Sequence, residues 1–159
     1  MSRDFNKNKV AVLTGAAKKI GRSTSIKLAE QGFNILIHTG GKSIEEAKYT
    51  IKLLEKFKIK SNYVTGDLAN LETINIIKDA ALKLGTPSVL VNNAGLRIHE
   101  HFEKIDYKDW KKVMTVNVDA SFLCAQALIN YMVKQKWGRV INIGGLSGHI
   151  GAVSYTHLR

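Results

Sequence analysis

The sequence holds one cysteine, one proline and no long uninterrupted apolar run, and each scarcity removes a class of protein. With Cys124 alone no internal disulfide can form, which suits a reducing compartment. Cys124 sits among Phe122, Leu123 and Ala125 in a helical pattern and reads as a buried structural thiol. A bilayer span needs about 18 or more consecutive apolar residues, so no membrane helix is expected. The amino terminus from Met1 to Asn8 is polar and lacks the apolar centre of an export signal, which makes the cytoplasm the expected location. Pro87 is the only proline, and no linker, repeat or low-complexity stretch divides the 159 residues, so a single domain is expected.

Acids are scarce too: 13 Asp and Glu face 24 Lys and Arg, a net charge of +11 that would draw polyanions. Lys27, Lys48, Lys52, Lys56, Lys78, Lys83, Lys111 and Lys134 fall at spacings that decorate the outer faces of several helices. No element interleaves basic and aromatic residues, so a solvated basic surface is expected rather than a specific nucleic-acid site. His99 and His101 flank Glu100, but no cysteine or further histidine completes a ligand set, and no metal site is expected.

What the chain does have is a regular alternation of short apolar runs and helical patterns. Strands are expected at 9–14, 33–38, 61–65, 88–91 and 139–143. Helices are expected at 20–31, with Ile20, Ser23, Ile26, Lys27 and Ala29 at helical spacing and Gly32 as the stop; from Ser43 to about 57; at 70–84; and at 107–135. Ser43 with Glu46 has the capping-box spacing, and Asp106 can cap the last helix. Trp110 and Met114 read as packing residues, and Trp137 sits at a helix end. Strands joined by helices require parallel pairing with right-handed crossovers. The expected fold is a doubly wound α/β sheet, Rossmann-like, ordered 3-2-1-4-5 and truncated after the fifth strand.

Two stretches stand out within that frame. Thr14-Gly15-Ala16-Ala17-Lys18-Lys19-Ile20-Gly21-Arg22 follows the first strand and Asn92-Asn93-Ala94-Gly95 follows the fourth, so both fall on the rim where open α/β sheets bind nucleotides. Gly15 can take the angles of a tight turn, Gly21 lets the helix approach its strand, and the free amides there would hold a pyrophosphate.

On these motifs the chain resembles the short-chain dehydrogenase/reductase family from about Lys9 to Gly151, with Lys19 where many members have a middle glycine. The consecutive basic residues are similar to those of pteridine reductases and some 3-oxoacyl-carrier-protein reductases. The resemblance implies cofactor contacts at Gly15, Lys18, Lys19, Ile20, Gly21, His38, Lys42, Ser43, Asp67, Leu68, Asn93, Ala94 and Gly95, with Asp67 meeting the adenine ring. It implies a catalytic role for Asn117, a small-molecule carbonyl or alcohol substrate, and a homo-oligomer in the whole protein. An acid at the end of the second strand would repel a 2′-phosphate; that strand instead runs into Thr39-Gly40-Gly41-Lys42-Ser43, and Lys18 adds a second positive charge, so NADP(H) is expected over NAD(H).

The family's remaining catalytic residues are harder to find. Alignment of Ile141-Asn142-Ile143-Gly144-Gly145 puts Gly145 in the serine slot, with Ser147 two positions late. The tyrosine would fall near Leu158; Tyr155 and Arg159 have the correct mutual spacing but come early, and arginine does not replace the lysine's geometry. The expectation is an amino-terminal portion of such an enzyme, with residues 153–159 foreign to the gene and no turnover on its own. The alternative is a dinucleotide-binding protein without chemistry, a sensor or pseudoenzyme.

Overall fold

A computed structural model describes residues 3–98 and 100–145 of the chain. Five strands, β1 (Lys9–Leu13), β2 (Asn34–Thr39), β3 (Ser61–Thr65), β4 (Thr86–Asn92) and β5 (Arg139–Asn142), form one sheet of order 3-2-1-4-5 in which every pair is parallel. The helices between them are α1 (Lys19–Glu30), α2 (Ile44–Leu54), α3 (Leu71–Leu84), α4 (Tyr107–Met114) and α5 (Ala120–Lys134). The expected fold class and strand order are what the chain adopts.

Alternation along the buried strands sends side chains to two separate cores. Val10, Val12, Leu36 and Leu90 pack with Ile74 and Ile77 of α3 and with Cys124, Leu128 and Met132 of α5. Ala11, Leu13, Ile35, Ile37, Val89 and Val91 pack with Ala29 of α1 and with Ala47 and Leu54 of α2. Pro87 lies inside β4, opposite Val10, where the β1–β4 register shifts before Ala11 pairs with Val89. A residue without an N–H belongs at such an irregularity. All four residues of β5 are exposed, although its ladder with β4 continues past the strand through Ile143 N–H to the Asn92 carbonyl at 2.9 Å.

Local expectations hold in part. Asp106 caps α4 as expected, accepting from Asp109 N at 2.9 Å, and Asn70, expected inside α3, is instead its cap, accepting from Glu72 N at 2.9 Å. The Ser43 capping box does not form: Ser43 sits at φ −127°, ψ 33° with no side-chain cap bond, and Glu46 turns instead to Arg22. The buried stripe of α1 is Gly21, Ser25 and Ala29, at intervals of four, while Ile20 is 63% exposed. Small residues win that face because α1 lies close to the sheet, and Ser25 returns its hydroxyl to the Gly21 carbonyl at 2.9 Å.

The helix expected at 107–135 is continuous from Tyr107 to Lys134 but carries one π turn, Thr115–Asp119, between α4 and α5. Its 28 residues are long and apolar enough to cross a membrane by length and composition alone, a property that core helices share. Here Ala120, Cys124, Leu128 and Met132 face the sheet and α3 instead. Trp110 is half exposed rather than packed, whereas Trp137 stacks on Phe33 and meets Phe5 edge-on at 6.1 and 5.7 Å between ring centres.

Candidate functional site

The two glycine-bearing motifs meet at the carboxyl ends of β1 and β4, where the strand order reverses direction. Thr14 Oγ1 accepts from the Asn93 and Ala94 amides at 3.1 and 3.0 Å. The Asn93 side-chain amide donates to the Thr14 and Gly15 carbonyls, both at 3.0 Å. Motifs 78 residues apart in sequence are thus one hydrogen-bonded rim.

The glycines make this approach possible. Gly15 has φ +61°, and a Cβ there would stand 2.7 Å from Ala94 Cα. At Gly21 a Cβ would lie 2.5 Å from Ala16 Cα and 2.9 Å from Asn93 Nδ2. Lys19, where many members of the resembled family carry glycine, occupies the left-handed region at φ +51°. A lysine in that conformation costs roughly 1–2 kcal/mol that glycine would not.

An open crevice of about 690 Å³ extends from Gly15 across the ends of β2 and β3, past Gly40, Asp67 and Leu68, to Gly95. Of the residues singled out in the sequence, Gly15, His38, Asp67, Leu68, Asn93, Ala94 and Gly95 line it. Lys18, Lys19 and Ile20 are exposed at the start of α1, and Lys42 and Ser43 lie on the turn before α2, outside the crevice lining. The lysine that does line it is Lys112, with Val116 one turn on. Sequence reasoning missed Lys112; its signal was the i, i+4 spacing to Val116, on the helix that also presents Asn117.

His38 is 2% exposed, and its Nε2 lies 3.0 Å from the Gly66 carbonyl. A carbonyl can only accept, so Nε2 carries the proton and Nδ1 is left without a hydrogen-bond partner among the described residues. Burial pushes the imidazole below its usual value, opposed in part by the Gly66 carbonyl and the Asp67 carboxylate. Between the folded value and the unfolded one near 6.5, only the unfolded chain holds the extra proton. The His38 contribution is therefore complete above pH 6.5 and is lost as pH falls below it. Urea midpoints measured from pH 7.5 down to 5 should decline, and His38→Asn should flatten the lower part of that curve.

A second concavity, about 720 Å³, opens beside the first between the end of β4, β5 and the long helix, lined by Asn92, Asn117, Ser121, Phe122, Asn142 and Gly145 among others. The π turn brings Asn117 to its edge. The Asn117 side chain accepts from Leu96 N at 2.7 Å and donates to the Leu96 carbonyl at 2.9 Å, while its own backbone carbonyl accepts from the Ser121 hydroxyl at 3.0 Å. A π turn inside a helix commonly marks a functional position. Buried Asn92 adds a donor to the Asn142 side chain at 2.8 Å, leaving Asn92 Oδ1 unpartnered among the described residues. Ser147, Tyr155 and Arg159, like residues 153–159 as a group and His99, lie outside the described residues.

Away from this rim, Lys7, Lys56, Lys58 and Lys60 gather around a concavity at the opposite ends of the strands, so the basic charge is less evenly spread than the sequence suggests. No group of three or more His, Cys, Asp or Glu able to hold a metal ion occurs among the described residues.

This architecture defines a doubly wound, Rossmann-like α/β domain. More specifically, the short chain dehydrogenase family matches residues 9–157, and the chain belongs to that family. It is 35% identical over 153 residues to a 3-oxoacyl-(acyl-carrier-protein) reductase of Aquifex aeolicus, covering 93% of this chain and 61% of that protein. It is 37% identical over 142 residues to the uncharacterized oxidoreductase YohF of Escherichia coli, covering 88% and 56%. Among solved structures, the acetoin dehydrogenase YohF of Salmonella typhimurium superposes with a TM-score of 0.86 at 33% identity, covering 94% of this chain and 59% of that one. The acetoin dehydrogenase of Enterobacter cloacae gives 0.85 at 31%, covering 94% and 60%. The chain thus spans about three fifths of the length of these relatives.

Proposed function

We propose that the chain is the dinucleotide-binding part of an NADP(H)-dependent oxidoreductase acting on a small carbonyl or alcohol substrate. The observation that carries this reading is the rim joining Thr14, Gly15 and Asn93 above an open crevice. The pyrophosphate would lie against the amides between Gly15 and Gly21, and the adenosine would extend past His38, Asp67 and Leu68. These residues fit such a group: the turn has room only where side chains are absent, and His38, Asp67 and Leu68 line the crevice beyond it. When bound, the nicotinamide supplies or accepts the hydride.

This chain's own residues bind and orient. Asn117, tied to Leu96, would fix the geometry where the two concavities meet. Lys18 and Lys42, together with Lys112, make the adenosine end positive, and no acid follows β2 to repel a 2′-phosphate. Cys124, single and buried, fits a cytoplasmic setting. The exposed apolar residues Val118, Phe122, Ile129 and Val133 along the long helix support a homo-oligomer in the whole protein.

Tryptophan fluorescence titration tests the cofactor assignment. NADPH should bind about tenfold more tightly than NADH, and Lys42→Glu should erase the difference, since each 1.4 kcal/mol of lost charge attraction is a tenfold change. Equal affinities in the wild type would reject the NADP(H) preference, and no binding of either would reject the dinucleotide site. Gly145 in place of the family's serine favours a second reading, a binder without chemistry. Absence of ketone reduction by the whole protein, with NADPH binding intact, would select that reading.

A further inference from the structure

Arg22 follows the glycine-rich turn and carries a positive charge, yet its guanidinium turns toward α2. Its Nε and Nη2 donate to the Ala17 carbonyl at 3.2 and 2.9 Å. The same Nε reaches Thr50 Oγ1 at 2.8 Å, and Nη2 is paired with the Glu46 carboxylate. The Tyr49 ring lies 4.9 Å from the guanidinium carbon. With these partners Arg22 is neutralised and is not available as a phosphate ligand.

Thr50, fully buried on α2, completes the arrangement. Its hydroxyl lies 2.7 Å from the Ala17 carbonyl and 3.0 Å from that of Glu46; one hydroxyl hydrogen serves the shorter contact, while the oxygen accepts from Arg22. The Ala17 carbonyl therefore accepts from Arg22 Nη2 and Thr50 Oγ1, and shares with Thr50 the single hydrogen of Arg22 Nε, so that two side chains on two helices hold it. A peptide group is planar and trans, so fixing that carbonyl toward α2 fixes the Lys18 N–H in the opposite direction. Lys18 is the extended residue that opens α1, at φ −153° and ψ 176°, and belongs to the turn assigned above to the pyrophosphate.

We infer that Arg22 and Thr50 are positioning residues through which α2 sets the orientation of the glycine-rich turn and thereby its affinity for a dinucleotide phosphate. This rests on the dinucleotide reading of the crevice. It extends that reading by giving the helix after β2 a part in the phosphate site as well as in the adenosine end. Glu46 supports the arrangement by holding the guanidinium, which also explains why its expected capping bond to Ser43 is not made.

The test compares the full chain with Thr50→Val, Thr50→Ser and Arg22→Met. Thr50→Val keeps the shape and removes the donor; it should weaken NADPH binding about tenfold, the equivalent of one good hydrogen bond. Thr50→Ser should restore binding, and Arg22→Met should weaken it at least as much as Thr50→Val. Amide NMR resonances of Lys18 and Lys19 should move in Thr50→Val, while those of α1 beyond Ser25 stay in place. Wild-type NADPH affinity in both Thr50→Val and Arg22→Met, with only the melting temperature lowered, would reduce the arrangement to a clip between helices and overturn the inference. Should the wild-type chain bind no dinucleotide, the functional reading fails separately. The inference is then decided by the Lys18 resonance: movement in Thr50→Val sustains the control of the turn by α2, and a stationary peak overturns it.

Discussion

Replacing Gly15 with valine is expected to destabilise the fold by about 2–4 kcal/mol and to abolish dinucleotide binding at any accessible concentration. Two independent penalties act at this residue. Its φ of +61° is a conformation that β-branched side chains avoid, and a Cβ would meet the Ala94 backbone at 2.7 Å. Backbone cannot swing aside as the end of a flexible side chain would, so relief requires β1 and β4 to part at their carboxyl ends. Urea unfolding gives the stability loss and NADPH titration the binding loss. A Gly15→Val chain that unfolds at the wild-type midpoint would mean the two motifs do not touch.

Asn93→Ala should be nearly as costly for a different reason. The side-chain amide satisfies the Thr14 and Gly15 carbonyls at once, and its removal leaves two partly buried acceptors competing for whatever water can enter. Each orphaned acceptor costs on the order of 1–3 kcal/mol when water is excluded, which puts the expected loss at about 2–4 kcal/mol for this half-buried pair. Asn93→Asp should rescue nothing, because a carboxylate cannot donate and would face two carbonyl oxygens. The informative readout is the difference between variants: if Asn93→Asp matches wild type in urea, the asparagine is not acting as a donor.

How much of this could be read beforehand follows from the kind of signal each element carries. Strands β1, β2 and β4 announced themselves because they are β-branched and leucine-rich runs buried on both faces, whereas β3 and β5 are far more exposed and were legible from the alternation with helices. The rim was legible because each motif follows such a run, and a doubly wound topology sends both to the same edge. Ser43 misled because its capping spacing is satisfied by sequence alone, whereas Glu46 found a stronger partner in Arg22, 24 residues away in the chain. Gly21 and Ser25 carry no hydrophobic signal, so of the buried stripe of α1 the helical spacing of Ile20, Ser23, Ile26, Lys27 and Ala29 marks only Ala29. The π turn at Thr115–Asp119 has no propensity signature; the tie between Asn117 and Leu96 is a tertiary fact. Beyond its spacing to Val116, Lys112 carries no signal of its own in the sequence, because only the fold reveals which helix face overlooks the crevice.

Cys124 lies 1% exposed between the long helix and the sheet, and burial drives its thiol up to about 11. At neutral pH almost no thiolate exists to react, and the sulfur is out of reach while the helix stays seated. With no second thiol in the sequence to confuse the signal, a colourless-to-yellow disulfide reagent would report, molecule by molecule, each moment when that helix lifts away. The chain thus contains its own stopwatch for opening, silent until the two layers separate.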